Sequence, residues 1–163
     1  MARYFEKISF EQFKKDISDD KELYDSIELP KRSTKKSAGY DIKSMENSIL
    51  KPGEVRVIKT GLKVCMNDDE VLYIYSRSSL GSKYRVTMGN SVGVIDADYY
   101  NNPSNEGHFS VCLINHGDTD FEIKIGDRIA QGVFMKFLTV DNEEEILETR
   151  TGGFGSTDKE GND

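Results

Sequence analysis

Short runs of alternating apolar and polar residues constrain the fold of this chain more than any other feature of its sequence. From Ile27 onward, apolar residues recur at every second position, and turn-forming residues separate the runs. The alternation is clearest at Val55 and Val57, at Val71, Tyr73 and Tyr75, and at Phe121, Ile123 and Ile125. The predicted turns are Lys-Pro-Gly at 51–53, Gly61, Asn67-Asp68-Asp69 and Gly126-Asp127. Many short strands with turns about every 8–12 residues predict an all-β barrel or sandwich.

The residues before the first predicted strand favour helix instead. Ser9 followed by Gln12 fits a capping box, which is a helix N-terminal signal. The apolar residues that follow have helical spacing and predict one short amphipathic helix over 10–17: Phe10, Phe13 and Ile17. A second helical turn is predicted over 21–26.

The C-terminal end has a third kind of composition. It is acidic from Asp141 and then reads Thr-Gly-Gly-Phe-Gly-Ser-Thr, in which Phe154 is the one large apolar side chain. Such a segment has almost nothing to bury, so it predicts a flexible arm with an aromatic residue that needs a surface to contact. The chain is therefore expected to consist of an N-terminal helical appendage at 1–26, a β domain at 27–140 and a flexible C-terminal arm at 141–163.

Charge and hydropathy narrow the class of protein. The formal net charge of −7 argues against general nucleic-acid binding, which needs a basic surface. The sequence has no apolar run near 18 residues and no cationic start followed by an apolar segment, so we expect a cytoplasmic protein without a membrane role. Cys65 and Cys112 are isolated and are expected to be buried free thiols.

The stretch from Gly89 to Tyr99 carries the strongest chemical signal. It combines an amide, flexible glycines, two carboxylates and a phenol on one apolar ribbon, and it predicts a β-hairpin that a flat ligand can approach closely. Asn90 can both donate and accept hydrogen bonds, and Asp96 lies where it could act on a bound molecule. By itself the stretch also fits a solvated turn.

Four further segments have the residue types of a nucleotide site, although each also has an ordinary structural explanation. Arg77-Ser78-Ser79-Leu80-Gly81 suits phosphate oxygens or is a simple strand end. Gly126-Asp127-Arg128-Ile129-Ala130-Gln131 is a candidate turn in which Gln131 is the functional residue. Arg150, Phe154, Ser156 and Thr157 fit either a disordered tail or a clasp on a base and its phosphates. Asp41, in Ala38-Gly39-Tyr40-Asp41-Ile42, is a turn acceptor or holds a metal-bound water.

Together and in this order, the five segments resemble the five signature motifs of the trimeric dUTP diphosphatases (dUTPases). The resemblance extends from about residue 27 to residue 157 and leaves the helical appendage outside. It implies a jelly-roll β-barrel that forms a homotrimer and hydrolyses dUTP to dUMP and pyrophosphate with Mg²⁺. It also implies active sites built from three subunits, so that the stretch around Asp96 and the C-terminal arm reach one site from different chains.

The resemblance assigns a role to each candidate residue. Asp96 would orient and deprotonate the water that attacks the α-phosphorus, and Tyr99 would pack under the deoxyribose. The uracil edge would be read by Asn90 and by the backbone of Gly93, Val94 and Ile95. The α- and β-phosphates would be held by Arg77, Ser78, Ser79 and Gln131, with Asp41 contacting Mg²⁺ through water. In the arm, Phe154 would cap the uracil, while Arg150, Gly155, Ser156 and Thr157 would close over the γ-phosphate.

The chain also departs from the family pattern. Ser79 stands where glycine is usual, and Arg150-Thr151-Gly152-Gly153-Phe154 is one residue shorter than the usual fifth motif. Asp158 replaces the motif's last glycine. After Tyr99 the family turns at once through glycine, whereas this chain has a longer polar loop at 100–107, which is expected to be a surface excursion.

Two alternative functions follow from the same motifs. The dCTP deaminases share Arg-Ser-Ser-Leu-Gly, but that family has an arginine and a glutamate where this chain has Ser82 and Cys112. Neither residue can carry out the proton transfer of deamination. The other alternative is a nucleotide-switched regulator that binds a protein partner, against which the intact Asp96 and Phe154 count.

Overall fold

The computed structural model describes residues 2–153 and is built mainly from β-strands. The elements in chain order are β1 (Tyr4–Lys7), α1 (Phe10–Asp16), α2 (Lys21–Asp25), β2 (Lys31–Arg32), β3 (Tyr40–Lys43), β4 (Ser48–Leu50), β5 (Val55–Cys65), β6 (Glu70–Tyr75), α3 (Ser78–Tyr84), β7 (Val86–Met88), β8 (Gly93–Asp96), a 3₁₀ turn (Ala97–Tyr99), β9 (Phe109–Asn115), β10 (Phe121–Ile123) and β11 (Arg128–Lys136).

The strands form two main sheets and a small third one. The order in one sheet is β1-β5-β9-β7, the order in the other is β2-β3-β11-β6-β8, and β10 pairs with β4. One hydrophobic cluster takes residues from both main sheets, among them Ile58, Phe109, Ile42 and Leu72, each no more than 1 % exposed. The pairing of these strands is antiparallel, and buried residues alternate regularly with half-buried ones along β9. The all-β prediction is confirmed.

The N-terminal segment joins the same core. The two predicted helical turns are α1 and α2, with Ser9 Oγ accepting from the Gln12 amide and Asp20 capping α2. Only one of the two hydrogen bonds of the predicted capping box forms. The Ser9 amide donates to the Glu106 carboxylate at 2.9 Å instead of to the Gln12 side chain. The sequence analysis missed β1, which pairs with β5. Phe13 of α1 is fully buried in the main cluster.

Two local predictions around glycine are wrong. Gly61 does not form a turn but lies within β5, where a φ of +71° accompanies an irregularity in the pairing with β9. A β-bulge of this kind needs positive φ, which glycine adopts without steric cost. The stretch from Gly89 to Tyr99 does not form a hairpin either, since β7 pairs with β9 and β8 pairs with β6 in the other sheet. This stretch therefore crosses from one sheet to the other.

The loop at 100–107 is not the surface excursion that the sequence predicted. Asn102 is 4 % exposed, and Gly107 and His108 are buried. Glu106 accepts from the Ser9 amide, and Lys63 Nζ donates to Asn101 Oδ1 at 2.7 Å. The loop is thus packed between the N-terminal segment and the end of β8.

The remaining predictions concern turns, thiols and the C-terminal segment. The turns at 51–53, 67–69 and 126–127 form between strands as expected. Both cysteines are free; Cys65 is buried as predicted, whereas Cys112 is half-buried. After β11 the described chain has no regular secondary structure, and Leu138 and Leu147 are exposed. None of the helices within residues 2–153 has the length and hydropathy that crossing a membrane requires.

Candidate active site

A pocket of about 300 Å³ lies where β8 and the 3₁₀ turn meet the start of β9. It is lined by Asn90, Val92, Gly93, Val94, Ile95, Asp96, Tyr99, Phe109, Ser110, Arg150 and Gly153. The lining combines apolar side chains with an amide, a carboxylate and a guanidinium. That mixture suits a flat ligand with a polar edge and an anionic group.

Close backbone packing shapes the wall of the pocket. A Cβ atom on Gly93 would lie 2.9 Å from Cβ of Ile74, so only glycine lets β8 pack this closely on the neighbouring strand. Asn90 precedes β8 in a tight turn, in which the Val92 amide donates to the Asn90 carbonyl at 2.8 Å. Val94 is exposed, and both Val94 and Ile95 line the pocket.

Asp96 lies at the rim of this pocket and is paired with the C-terminal segment. Arg150 Nη2 donates to Asp96 Oδ2 at 2.5 Å, and Arg150 Nε donates to Asp98 Oδ1 at 3.1 Å. The Asp96 side chain is 46 % exposed, so solvent reaches the carboxylate. Gly153 packs against the ring of Tyr99; a Cβ there would lie 2.6 Å from the hydroxyl oxygen. Within one chain, the described part of the arm therefore covers the pocket of that same chain.

Tyr99 forms the buried end of the pocket and is held at its hydroxyl. Asn105 Nδ2 donates to this hydroxyl at 2.8 Å, and the hydroxyl donates to the His108 carbonyl at 3.2 Å. His108 in turn shares a 2.5 Å hydrogen bond through Nδ1 with Asp16, while its Nε2 accepts from the Gly61 amide. Burial lowers the pKa of His108 more than Asp16 raises it, so the imidazole is neutral near pH 7. Burial works against ionised Asp16, but hydrogen bonds from His108 and Gln12 outweigh it and lower the pKa of this carboxyl.

A second polar cluster lies at the far end of β6. Asp41 accepts from Arg77 Nε at 3.2 Å, from Arg128 Nη1 at 3.3 Å and from Ser33 Oγ at 3.0 Å. Gln131 is paired with Asp41 in the sheet, and its Nε2 donates to the Ser76 carbonyl at 3.1 Å. We call Asp41, Arg77, Arg128 and Gln131 the arginine cluster. Two guanidinium groups against one carboxylate leave it with net positive charge, which suits phosphate oxygens.

The arginine cluster explains why position 39, in Ala38-Gly39-Tyr40-Asp41, is a glycine. A Cβ atom on Gly39 would collide with Oε1 of Gln131. The first and fourth motifs of the sequence thus depend on each other, since only glycine leaves room for the glutamine. Ser78 and Ser79 begin α3 directly after Arg77, with Ser78 exposed and Ser79 half-buried.

The pocket and the arginine cluster are far apart on one chain. In β6, Val71 pairs with Asp96 on one side, while Tyr75 pairs with Gln131 on the other. Four residues of strand correspond to about 13 Å, and two strand spacings add about 10 Å sideways. The Cα atoms of Asp96 and Gln131 are therefore roughly 16 Å apart, so a single chain does not bring the two side chains into contact.

The sequence-predicted residues thus fall into two groups. One chain brings together Asn90, Gly93, Val94, Ile95, Asp96, Tyr99 and Arg150 in the pocket, and it brings together Asp41, Arg77, Ser78, Ser79 and Gln131 around the arginine cluster. Phe154, Gly155, Ser156 and Thr157 lie outside the described residues. Five residues at these two places were not selected from the sequence. Phe109 and Ser110 are the first residues of β9 and line the pocket. Asp98 contacts Arg150, while Arg128 and Ser33 contact Asp41. Asp98 and Arg128 stood beside selected residues in the motifs, whereas Phe109, Ser110 and Ser33 had no signal.

The proposed Mg²⁺ contact, Asp41, is already an acceptor for three side-chain donors. Within residues 2–153, no cluster of three or more metal-ligating side chains occurs. Mg²⁺ in nucleotide sites takes one or two carboxylates, several waters and the substrate phosphates, so it does not need such a cluster.

These features define a class. The chain is an all-β protein with a pocket of nucleotide-base size, a carboxylate at the rim and a separate cationic cluster suited to phosphates. A family model described as dUTPase matches residues 25–158. Because this match covers most of the chain, the chain belongs to the dUTPase family.

Named relatives agree with this assignment. The chain is 54 % identical over 132 residues to the deoxyuridine 5'-triphosphate nucleotidohydrolase of Lactococcus lactis subsp. lactis, covering 80 % of this chain and 88 % of the relative. It is 39 % identical over 143 residues to the enzyme of the same name from Nautilia profundicola, covering 85 % and 96 %.

Solved structures extend the agreement to the fold. The dUTPase from Streptococcus mutans aligns with a TM-score of 0.71 at 42 % identity, covering 85 % of this chain and 99 % of that one. The dUTPase from phage phi11 of S. aureus shares the fold, with a TM-score of 0.67 at 23 % identity over 93 % of this chain and 99 % of that one. The jelly-roll prediction is confirmed by these neighbours. The deaminase alternative finds no support among the relatives described.

Proposed function

We propose that this protein is a dUTP diphosphatase that hydrolyses dUTP to dUMP and pyrophosphate. The observation that carries the proposal is Asp96, a solvent-accessible carboxylate at the rim of a base-sized pocket whose walls are backbone, amide and phenol. In the cell, such an activity limits uracil in DNA and supplies dUMP for dTMP synthesis. Its place of action is the cytoplasm.

Asp96 is the general base in this proposal. It orients a water molecule in line with the α-phosphorus and accepts its proton, while pyrophosphate leaves on the opposite side. A carboxylate is a weak base, so positioning and charge neutralisation supply most of the rate acceleration. The ion pair with Arg150 supports this role, because it holds the carboxylate in place before the substrate arrives.

The pocket residues bind the nucleoside. Asn90 and the backbone of residues 93–95 hydrogen-bond the uracil edge, and Tyr99 packs under the deoxyribose, where a 2'-hydroxyl would clash. The arginine cluster, with Ser78, Ser79 and Gln131, binds the α- and β-phosphates. Phe154, Gly155, Ser156 and Thr157 of the arm close over the base and the γ-phosphate, with Arg150 moving from Asp96 to the phosphate. Closure excludes water and strengthens these electrostatic contacts.

The active site is shared between subunits of a homotrimer. The separation of about 16 Å between Asp96 and Gln131 on one chain supports this, because both residues act on one triphosphate in the proposed reaction. A second chain has to supply the arginine cluster. The arm contacts the pocket of its own chain at Arg150 and Gly153, and its delivery from a further chain remains part of the proposal.

Mg²⁺ enters with the triphosphate. The metal would neutralise phosphate charge when bound, and Asp41 would hold it through water, as the family resemblance implies. The three side-chain donors around Asp41 support a second role for this carboxylate, which is to hold Arg77 and Arg128 in place.

The test is pyrophosphate release from dUTP, dCTP, dTTP and UTP, measured with Mg²⁺ and with excess chelator. We expect strong preference for dUTP and loss of activity with chelator. A site whose buried polar groups match one base edge penalises a different edge by orders of magnitude. Similar rates with dCTP and dUTP would refute the proposed specificity.

A further inference from the structure

The Tyr99 hydroxyl is fixed by a residue that does not line the pocket. Asn105 Nδ2 donates to it at 2.8 Å, which leaves the hydroxyl proton to donate to the His108 carbonyl. Tyr99 is 6 % exposed; its hydrogen bond to the His108 carbonyl is buried, and the one from Asn105 is partly buried. The hydroxyl end of the Tyr99 ring is therefore held in place by two hydrogen bonds, one with Asn105 and one with the His108 carbonyl.

Asn105 is itself held in one orientation. Its Oδ1 accepts from Asn102 Nδ2 at 2.7 Å and from the Gly107 amide at 3.1 Å, so its Nδ2 has to face Tyr99. Asn102 is buried, and its Oδ1 accepts from the backbone amides of Ser104 and Asn105 at 3.0 and 3.2 Å. The amide orientation of Asn105 thus follows from a hydrogen-bond network within the loop.

The loop that carries Asn105 is attached to the N-terminal segment. Glu106 accepts from the Ser9 amide at 2.9 Å, and His108 bonds to Asp16 and to the Gly61 amide. Glu106 and His108, which follow Asn105, are consequently held by contacts outside the loop. A loop without these contacts would leave the tyrosine ring free to tilt.

We propose that Asn105 is a positioning residue, which holds the Tyr99 ring through its hydroxyl and so sets the preference for deoxyribose over ribose. This inference rests on the proposed function, in which Tyr99 packs under the sugar. Exclusion of a 2'-hydroxyl depends on a ring that does not yield. If the Tyr99 hydroxyl loses one hydrogen bond, the ring can move more easily and can make room for ribose.

Asn105→Asp is the variant that tests this most selectively. It keeps the size of the side chain and the acceptor oxygen used by Asn102 and Gly107, but it removes the donor to Tyr99. The hydroxyl then turns toward the new carboxylate and releases the His108 carbonyl. Asn101→Asp is the matched control, because it makes the same chemical change in the same loop at a residue that contacts Lys63 instead.

The experiment measures kcat and KM for dUTP and for UTP by pyrophosphate release. We expect Asn105→Asp to lower the ratio of kcat/KM for dUTP to that for UTP by about fivefold, the effect of one hydrogen bond. Most of the change with dUTP should appear in KM rather than in kcat. Asn101→Asp should leave the ratio at the wild-type value.

Tyr99→Phe is a second variant, which removes the hydroxyl itself and therefore tests the same interaction even if Asn105→Asp destabilises the loop. It should lower the ratio at least as much as Asn105→Asp, and the double variant should lower it no further. An unchanged ratio in Asn105→Asp or in Tyr99→Phe, or an equal further loss in the double variant, would overturn the inference. A wild-type protein that does not prefer dUTP would instead overturn the proposed function, and the inference with it.

Discussion

Asp96 is the residue on which the proposed chemistry depends. Asp96→Asn keeps the size and hydrogen-bonding ability of the side chain but removes the base. We expect turnover of dUTP to fall by about two orders of magnitude or more, with little change in affinity for a non-hydrolysable dUTP analogue. Steady-state kinetics and calorimetry measure the two quantities. Asp98→Asn is the matched control, since Asp98 shares Arg150 but does not line the pocket; near-normal turnover in the Asp96 variant would move the role to another carboxylate.

His108 gives a residue-scale prediction for pH. Its pKa is lowered by burial below the ordinary value of 6.5, so the folded chain keeps it neutral while the unfolded chain binds a proton. The free energy of unfolding therefore contains a contribution that is complete above about pH 6.5 and is lost as pH falls toward the folded pKa. Asp16 has a lowered pKa and stays ionised in this range.

The measurement is urea unfolding at about pH 7.5 and about pH 5.5. Wild type should lose stability at the lower pH, by up to about 1.4 kcal/mol from this residue. His108→Gln, which can still donate and accept hydrogen bonds, should lose less over the same interval. A variant whose stability falls as steeply as that of wild type would show that His108 is not the responsible group.

At the scale of elements, the N-terminal helix is a part of the main core. Phe13 is fully buried in the cluster that both sheets share. We expect Phe13→Ala to lower the free energy of unfolding by about 3–5 kcal/mol, with unfolding still in one transition. Glu11→Ala on the exposed side of the same helix should change it by less than about 1 kcal/mol. Two separate transitions, with the Phe13 variant affecting only one, would instead support an independent appendage.

The sequence predicted element type better than pairing. The apolar alternation at 71–75 and the spacing of Phe10, Phe13 and Ile17 identified β6 and α1 as elements. In β6, however, the fully buried side chains are those of Leu72 and Ile74, which lie between the alternating residues that indicated the strand. The sheet that β8 joins was not predictable in this way. Its partner is chosen by close packing of Gly93 on Ile74, which is a long-range contact.

The burial of polar residues in the loop at 100–107 was not predictable from the sequence either. Its composition is that of an exposed loop, yet Asn102 is buried, because its amide satisfies backbone groups of the loop itself. For the site, the motifs contain most of the pocket lining, and they pointed to Asp41, Arg77 and Gln131 of the arginine cluster but not to Arg128. They could not show that Phe109 and Ser110 complete the pocket, since these residues are brought there by strand pairing.

At the scale of the whole molecule, the central claim is that one active site combines residues from different chains. Asp96 and Gln131 of the arginine cluster pair with opposite ends of β6, so a single chain keeps the two proposed parts of the site apart. The proposed division into appendage, β domain and arm does not affect this separation. The proposed closed trimer would bring Asp96 of one chain and the arginine cluster of a neighbouring chain together without any change in the fold of each chain.

The most direct test mixes two inactive variants, Asp96→Asn and Arg77→Ala, by co-refolding equal amounts into trimers. A site works only when the Arg77 variant supplies Asp96 and the Asp96 variant supplies Arg77. Random mixing makes this true for about one half times one half, or about a quarter, of the sites. Each variant refolded alone should stay nearly inactive, and the mixture should recover about a quarter of wild-type dUTP hydrolysis. Activity that stays at the sum of the two separate variants, in trimers shown by native mass spectrometry to be mixed, would contradict the shared site.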